Sequence, residues 1–218
     1  MKKLTPFLLL ILFSGLLYLS GNEPLDSQSD PSRATNIYTD GILNSEIAKV
    51  DRRANYDLNV EFNADTKKIY VKENITWINK TNSPTSEIQF HFYANGYKSS
   101  KTLFAQAYSI NSETQTQIDV KSFLVNSQPA ELVYFQPEIA NPDDSTVAKV
   151  LLDKPIQPGD SIKIFFEYTM QIPRSVKRMG YATGRNFFFV SQWFPKVGVF
   201  ENGTWVCSQY HPYLNFYS

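Results

Sequence analysis

From Tyr56 onward, apolar and polar residues alternate with period two. Tyr56, Leu58, Val60 and Phe62 oppose Asp57, Asn59, Glu61 and Asn63, the pattern of a strand with one buried face. Asn63-Ala64-Asp65-Thr66 supplies turn residues. A second strand runs from Ile69 to Ile78, with Ile69, Val71, Ile75 and Trp77 on one face and Glu73 interrupting them. Thr81-Asn82-Ser83-Pro84 ends that pattern. Ile88, Phe90 and Phe92 then alternate with Gln89, His91 and Tyr93, and further strands are expected at Ile118–Val125, Glu131–Phe135 and Val147–Leu152. The clearest strand spans 162–172, after the turn Gln157-Pro158-Gly159-Asp160. Phe187–Val190 is continuously apolar, as a strand covered on both faces would be. Many short strands separated by turn signals predict an all-β fold, an antiparallel sheet or sandwich.

The front of the chain differs. Lys2 and Lys3 precede an apolar run from Phe7 to Leu19 that closes on Ser20-Gly21. A positive start and an apolar stretch of that length make residues 1–21 a signal peptide or, uncleaved, an N-terminal anchor. The run is short for a membrane span, which needs about 20 apolar residues. Either reading places the rest of the chain in an extracytoplasmic space: periplasmic, secreted, or held at the outer side of the inner membrane. Residues 22–54 read as a polar linker, Pro/Ser/Asp-rich at first, with Ile42, Leu43, Ile47 and Val50 spaced for a short helix over 41–53.

Composition narrows the function. Lys and Arg total 21, as do Asp and Glu, and that balance argues against a nucleic-acid-coating or polybasic membrane-surface protein. One cysteine, Cys207, cannot form an intrachain disulfide, and its neighbours Trp205, Val206 and Tyr210 predict burial. The two histidines, His91 and His211, are too far apart for a local metal motif. No phosphate loop, nucleophile elbow or HExxH occurs. His91 reads as a hydrogen-bonded surface or core residue. His211 sits in the aromatic stretch Gln209–Tyr213, where a structural role is again expected. Arg174, Lys177 and Arg178 read as a solvated loop. Asn74, Asn79 and Asn202 each begin a glycosylation triplet, which matters only in a glycosylating secretory pathway.

Four stretches, in this order, carry a resemblance. They are Asn55-Tyr56-Asp57-Leu58, Ile88–Tyr97 (IQFHFYANGY), the turn Lys154–Asp160, and Phe187–Lys196 (FFFVSQWFPK) continuing to Tyr210-His211. Together they resemble the N-terminal domain of the aminopeptidase N family of zinc metallopeptidases, in its exported bacterial branch, over residues 55–218. The resemblance implies a saddle-like β-sandwich with Phe90, Phe92, Phe166 and Tyr168 between sheets, and an irregular Gln192–Lys196 segment in which Pro195 stops ladder pairing. It further implies a domain that packs on a metallopeptidase domain, in the same or a separate chain, and closes one side of its peptide-binding cleft.

The family's HExxH, distant Glu and GxMEN-type loop are absent from these 218 residues. The resemblance therefore implies zinc only in a downstream catalytic domain, no cofactor and no metal site here, no catalytic residue, and no turnover by this chain alone. It implies further strands beyond Ser218, and leaves Asn215 where many relatives carry an acid. Classical members use a Gln or Glu of this domain to hold the substrate's free amine, which makes Gln192 the one candidate substrate-binding residue. No nucleic-acid partner is expected, and a membrane contact only through the N-terminal segment. The alternative is a stand-alone extracytoplasmic β-sandwich serving as a binding or scaffold module.

Overall fold

The computed structural model describes residues 52–175 and 177–213. Among them the regular elements are strands, joined by two 3-10 turns at Tyr93–Tyr97 and Phe104–Ala107. In chain order the strands are β1 (Ala54–Asn63), β2 (Lys68–Ile78), β3 (Thr85–His91), β4 (Ile118–Val125), β5 (Gln128–Pro129), β6 (Val133–Tyr134), β7 (Val147–Ile156), β8 (Ser161–Gln171), β9 (Met179–Ala182), β10 (Phe187–Val190), β11 (Lys196–Val197), β12 (Val199–Glu201) and β13 (Thr204–Val206). One sheet has the order β1-β2-β8-β4-β5 and a second β11-β3-β7-β6, with β9-β10 and β12-β13 as separate pairs. The pairings are antiparallel. The fold is the expected all-β antiparallel sandwich. The anticipated N-terminal segment and the helix over 41–53 lie outside the described residues, apart from Arg52 and Arg53, which lead directly into β1. Asn215 also lies outside them. No helix among the described residues is long and apolar enough to cross a membrane.

Period two explains the core. On β2 and β8 every second side chain is buried, giving Ile69, Val71, Ile75 and Trp77 on one strand and Ile162, Ile164, Phe166, Tyr168 and Met170 on the other. The second sheet answers with Ile88 and Phe90 of β3 and Ala148 and Val150 of β7, whose registers oppose each other directly. Rings interlock across the gap: Phe90 lies 5.3 Å from Phe166 and 6.0 Å from Phe123, both edge-on. Each such side chain contributes about 1.5–3 kcal/mol by leaving water.

Glu73 occupies an inner-face position of β2 and is fully buried. The Tyr168 hydroxyl donates to its Oε2 at 3.1 Å, and Oε1 has no hydrogen-bond partner. Burial pushes the carboxyl up to about 8, partly offset by the Tyr168 bond, so it carries its proton at neutral pH.

Three local expectations change. Phe187–Val190 is not covered on both faces, because Phe187 and Phe189 are exposed. They project from the short β9-β10 pair opposite Ala182 and Gly180, while Phe188 turns the other way onto Phe62, at 4.9 Å. Pro195 does not end ladder pairing: Lys196 pairs with His91 immediately after it. The strand expected to end at Leu152 continues to Ile156, because Thr85 of β3 still has Ile156 to pair with beyond a register shift. Asn79 is fully buried. Its Nδ2 donates to Ser83 O at 2.8 Å and Ile156 O at 3.2 Å, so the folded chain offers no amide there to a glycosylating enzyme. Asn74 and Asn202 are exposed.

Candidate functional site

His91 is on the outer face of the second sheet, yet it is buried. The segment after β13 covers it, bringing Cys207 Sγ to 3.6 Å from His91 Nδ1. Burial, with Lys196 nearby, lowers the imidazole to about 4, and burial pushes the Cys207 thiol well above its ordinary range. A neutral imidazole beside a protonated, enclosed thiol is a packing pair and not an activated nucleophile.

The same segment then delivers Tyr210 into an aromatic stack. Tyr93 lies 4.5 Å away on one side and Phe104 4.6 Å on the other, at interplanar angles of 20° and 10°. The backbone allows this because residue 96 is glycine: a Cβ there would stand 2.7 Å from Tyr210 Cδ1 and 3.0 Å from Phe104 Cβ. Arg178 caps the stack, its guanidinium carbon 5.1 Å from the Tyr210 ring and 5.7 Å from Phe104. That guanidinium also donates to His211 O at 3.2 Å and Pro212 O at 2.9 Å, tying the C-terminal segment down. Lys196 sits 5.2 Å over the Tyr93 ring, and burial lowers its ammonium. Lys177 sits 4.2 Å over Tyr108, whose ring contacts Phe104. The expected solvated loop of Arg174, Lys177 and Arg178 is thus only half correct. Arg174 is an exposed ion pair with Glu113 at 2.6 Å, whereas Arg178 and Lys177 lie on aromatic faces.

Gln192 joins this site. The Tyr210 hydroxyl donates to its Oε1 at 2.7 Å. Gln192 and Arg178 both have left-handed backbones, with φ of 52° and 62°. Non-glycine residues in that region cost about 1 kcal/mol or more each and are held by surrounding contacts. Here the contacts are the Tyr210 hydroxyl and the Arg178 bonds, together with a hydrogen bond from Ser191 Oγ to Arg178 O. Gly180 lets the backbone on either side of Arg178 close on itself at Ser175. Its φ is +145°, and a Cβ would fall 1.7 Å from Ser175 O.

His211 is brought to Glu138, Nε2 to Oε2 at 3.0 Å, and the same Oε2 accepts from Gln209 N at 2.9 Å. Gln209 is fully buried; its Oε1 accepts from Ile139 N at 2.8 Å, and its Nε2 has no partner. The Glu138–His211 pair and the fastening by Gln209 were invisible in the sequence, because they join segments about seventy residues apart. Among the described residues, no group of three or more His, Cys, Asp and Glu side chains is arranged to hold a metal ion.

The Tyr210 hydroxyl makes one measurable contribution. Tyr210→Phe should destabilise the chain by about 1 kcal/mol, the net worth of one hydrogen bond, lowering Tm by roughly 2–4 °C. Gln192→Ala should cost a similar amount and the double variant little more than either, because one bond is removed in each case. Thermal melts of the four proteins measure this; additive losses would show that the two side chains act independently.

No protein-family model matches the chain, and no curated protein matches it. Among solved structures, the carbohydrate-binding module CBM3b from the cellulosomal cellobiohydrolase 9A of Clostridium thermocellum is similar over 72% of this chain and 97% of its own, at 13% sequence identity and a TM-score of 0.31. At that level the likeness says nothing about function, and the sandwich described above rests on the chain's own strands and contacts.

Proposed function

We propose that this chain is the non-catalytic N-terminal β-domain of an exported zinc-dependent aminopeptidase-like protein. It packs against a metallopeptidase domain, in the same or a separate chain, and closes one side of that domain's peptide-binding cleft. One observation supports this reading above the others. Two stretches of the sequence resemblance meet in one site: Tyr93 and Tyr97 from Ile88–Tyr97, and Gln192, Lys196, Tyr210 and His211 from Phe187–Lys196 and its continuation. Two strained left-handed residues, Arg178 and Gln192, frame it, as happens where a surface is shaped for a ligand or partner.

In this reading Gln192 contributes a side-chain amide at the cleft wall, positioned by Tyr210 from behind. Zinc belongs to the partnering domain, where it would supply an activated water. This chain's own residues shape and close the cleft and perform no bond cleavage.

Two results test the proposal. Reading the coding sequence past Ser218, and the neighbouring genes, should reveal HExxH with a downstream Glu; unrelated sequence throughout would favour a stand-alone module instead. Purified chain supplied with zinc and chromogenic aminoacyl anilides should show no turnover above buffer, and metal-dependent cleavage by this chain alone would contradict the proposal.

A further inference from the structure

The two main sheets have four edges, and three of them are short. β5, β6 and β11 each span two residues; β5 ends in Pro129, and β11 begins directly after Pro195. Short strands and prolines are the usual protection against unwanted strand pairing. The fourth edge, β1, is different. It pairs with β2 over all ten residues without a register shift, and it contains no lysine and no proline. It is the longest edge strand of the two main sheets; β4 and β7 are also open beyond the two residues that β5 and β6 each pair with, but both carry lysine and a register shift.

The ladder shows which groups that edge presents. Ile78 N donates to Arg53 O at 2.8 Å, one step beyond the β1-β2 register. Antiparallel ladders alternate between bonded and non-bonded pairs, so Asn55, Asp57, Asn59, Glu61 and Asn63 bond to β2. The backbone N–H and C=O groups of Tyr56, Leu58, Val60 and Phe62 point outward. Tyr56 is already covered, since its hydroxyl accepts from Val197 N at 3.0 Å and its ring meets Phe194 at 5.7 Å. The open stretch is Leu58 to Phe62.

Its two faces have different chemistry. Val60 and Phe62 continue the buried row of Val71 and Ile69, their register partners, yet they remain 43% and 45% exposed. On the opposite face Asp57 and Glu61 are exposed and form no ion pair among the described residues. The edge therefore lacks main-chain hydrogen bonds and, on its polar face, cations; on its apolar face Phe188 meets the Phe62 ring at 4.9 Å, yet Val60 and Phe62 keep much of their surface open.

We propose that Leu58–Phe62 is a β-augmentation site for an extended protein segment with alternating apolar and basic residues. The incoming strand bonds to the outward groups of Leu58, Val60 and Phe62 and lays its apolar residues over Val60 and Phe62. Its lysines or arginines face Asp57 and Glu61. A second copy of this chain fits less well, because β1 carries no lysine or arginine to set against Asp57 and Glu61, and paired about Asn59 those two acids would face each other.

The test uses the full chain, isotopically labelled, and a capped synthetic peptide, Thr-Val-Lys-Val-Lys-Val-Thr. NMR titration should give saturable shifts at the amides of Leu58, Val60 and Phe62, with their hydrogen exchange slowed in the complex. A peptide N-methylated at alternate amides on its pairing edge should bind about tenfold more weakly, because main-chain bonds carry the affinity. Val60→Pro removes one outward N–H and leaves the β1-β2 bonds in place; it should abolish binding while the chain still melts cooperatively. Asp57→Lys with Glu61→Lys should weaken binding several-fold without altering the edge. Equal binding of the N-methylated peptide, shifts confined to other strands, amides at 58–62 already protected in the free chain, or a dimer joined through β1 would each overturn the proposal.

Discussion

Phe166→Ala should lower the stability of the folded chain by about 3–5 kcal/mol, the range for deleting a buried aromatic side chain. Phe166 is fully buried on β8, the strand between β2 and β4 in the larger sheet. Its ring contacts Phe123 at 4.7 Å within that sheet, Phe90 at 5.3 Å across the sandwich, and Phe92 at 5.9 Å. Three large rings cannot collapse together into the vacated space, because β4 fixes Phe123, β3 fixes Phe90 and the start of the following 3-10 turn fixes Phe92, so most of the cavity should persist. Tm should fall by roughly 6–20 °C for a domain of this size. Phe166→Leu keeps most of the volume and should cost less than about 1.5 kcal/mol. Leu151→Ala is the matched control, since Leu151 is 65% exposed and its loss should stay within about 0.5 kcal/mol. Denaturant titration of the three variants checks the order, and a Phe166→Ala loss no larger than that of Leu151→Ala would contradict this packing.

Stability should be flat between about pH 4.5 and 6.5 and fall between about 6.5 and 8, as far as two buried groups set it. Glu73 is raised from 4.5 to about 8, mainly by burial. From pH 4.5 to 8 the folded chain therefore holds a proton the unfolded chain has lost, and stability drops by up to ~1.4 kcal/mol per unit as pH rises. His91 is lowered from 6.5 to about 4, mainly by burial and then by Lys196. Between those values the unfolded chain holds the extra proton, so stability grows with pH at a comparable slope. The two trends oppose each other up to pH 6.5, and above it Glu73 acts alone. Glu73→Gln keeps the shape and removes the titration, so the decline from pH 6.5 to 8 should disappear. His91→Gln should leave that decline intact and expose the Glu73 slope below pH 6.5. Urea midpoints measured from pH 4 to 9 test this; a wild-type chain that gains stability from pH 6.5 to 8 would show that Glu73 is not held neutral.

The parts of the fold legible in the sequence are those whose two faces differ, buried against wet on β2 and β8 and apolar against polar on β1. On β1 the expected buried face stays partly open at Val60 and Phe62. β1, β2 and β8 each run ten or eleven residues, long enough for period two to stand out, and their expected limits differ from the observed ones by one or two residues. β5, β6 and β11 have two residues each, and no periodicity can be read over that length. Phe187–Val190 misled because a continuous apolar run fits burial on both faces, whereas here the β9-β10 pair lies apart from both main sheets. The interruption at Glu73 was visible, but its meaning needed the β2-β8 register that brings Tyr168 to it.

The site was less legible than the strands. Gln192 and the aromatic stretches stood out as sequence, yet their joint geometry depends on Tyr210 lying between Tyr93 and Phe104. That stack joins residues more than a hundred positions apart, beyond the reach of local pattern. Arg178 looked like a surface charge because nothing near it in sequence reveals the two rings beneath it. His91 sat on the polar side of its strand, and only the covering segment at Cys207 shows that this side is closed.

The proposed role is tested most directly by isolating the native protein from its own cells with an antibody against residues 52–213, then measuring its mass and zinc content. A metallopeptidase-associated domain should emerge as a species or complex larger than the 25.0 kDa chain, with stoichiometric zinc and with peptides that include HExxH. A zinc-free protein of 25.0 kDa or less, with no other polypeptide attached, would contradict it.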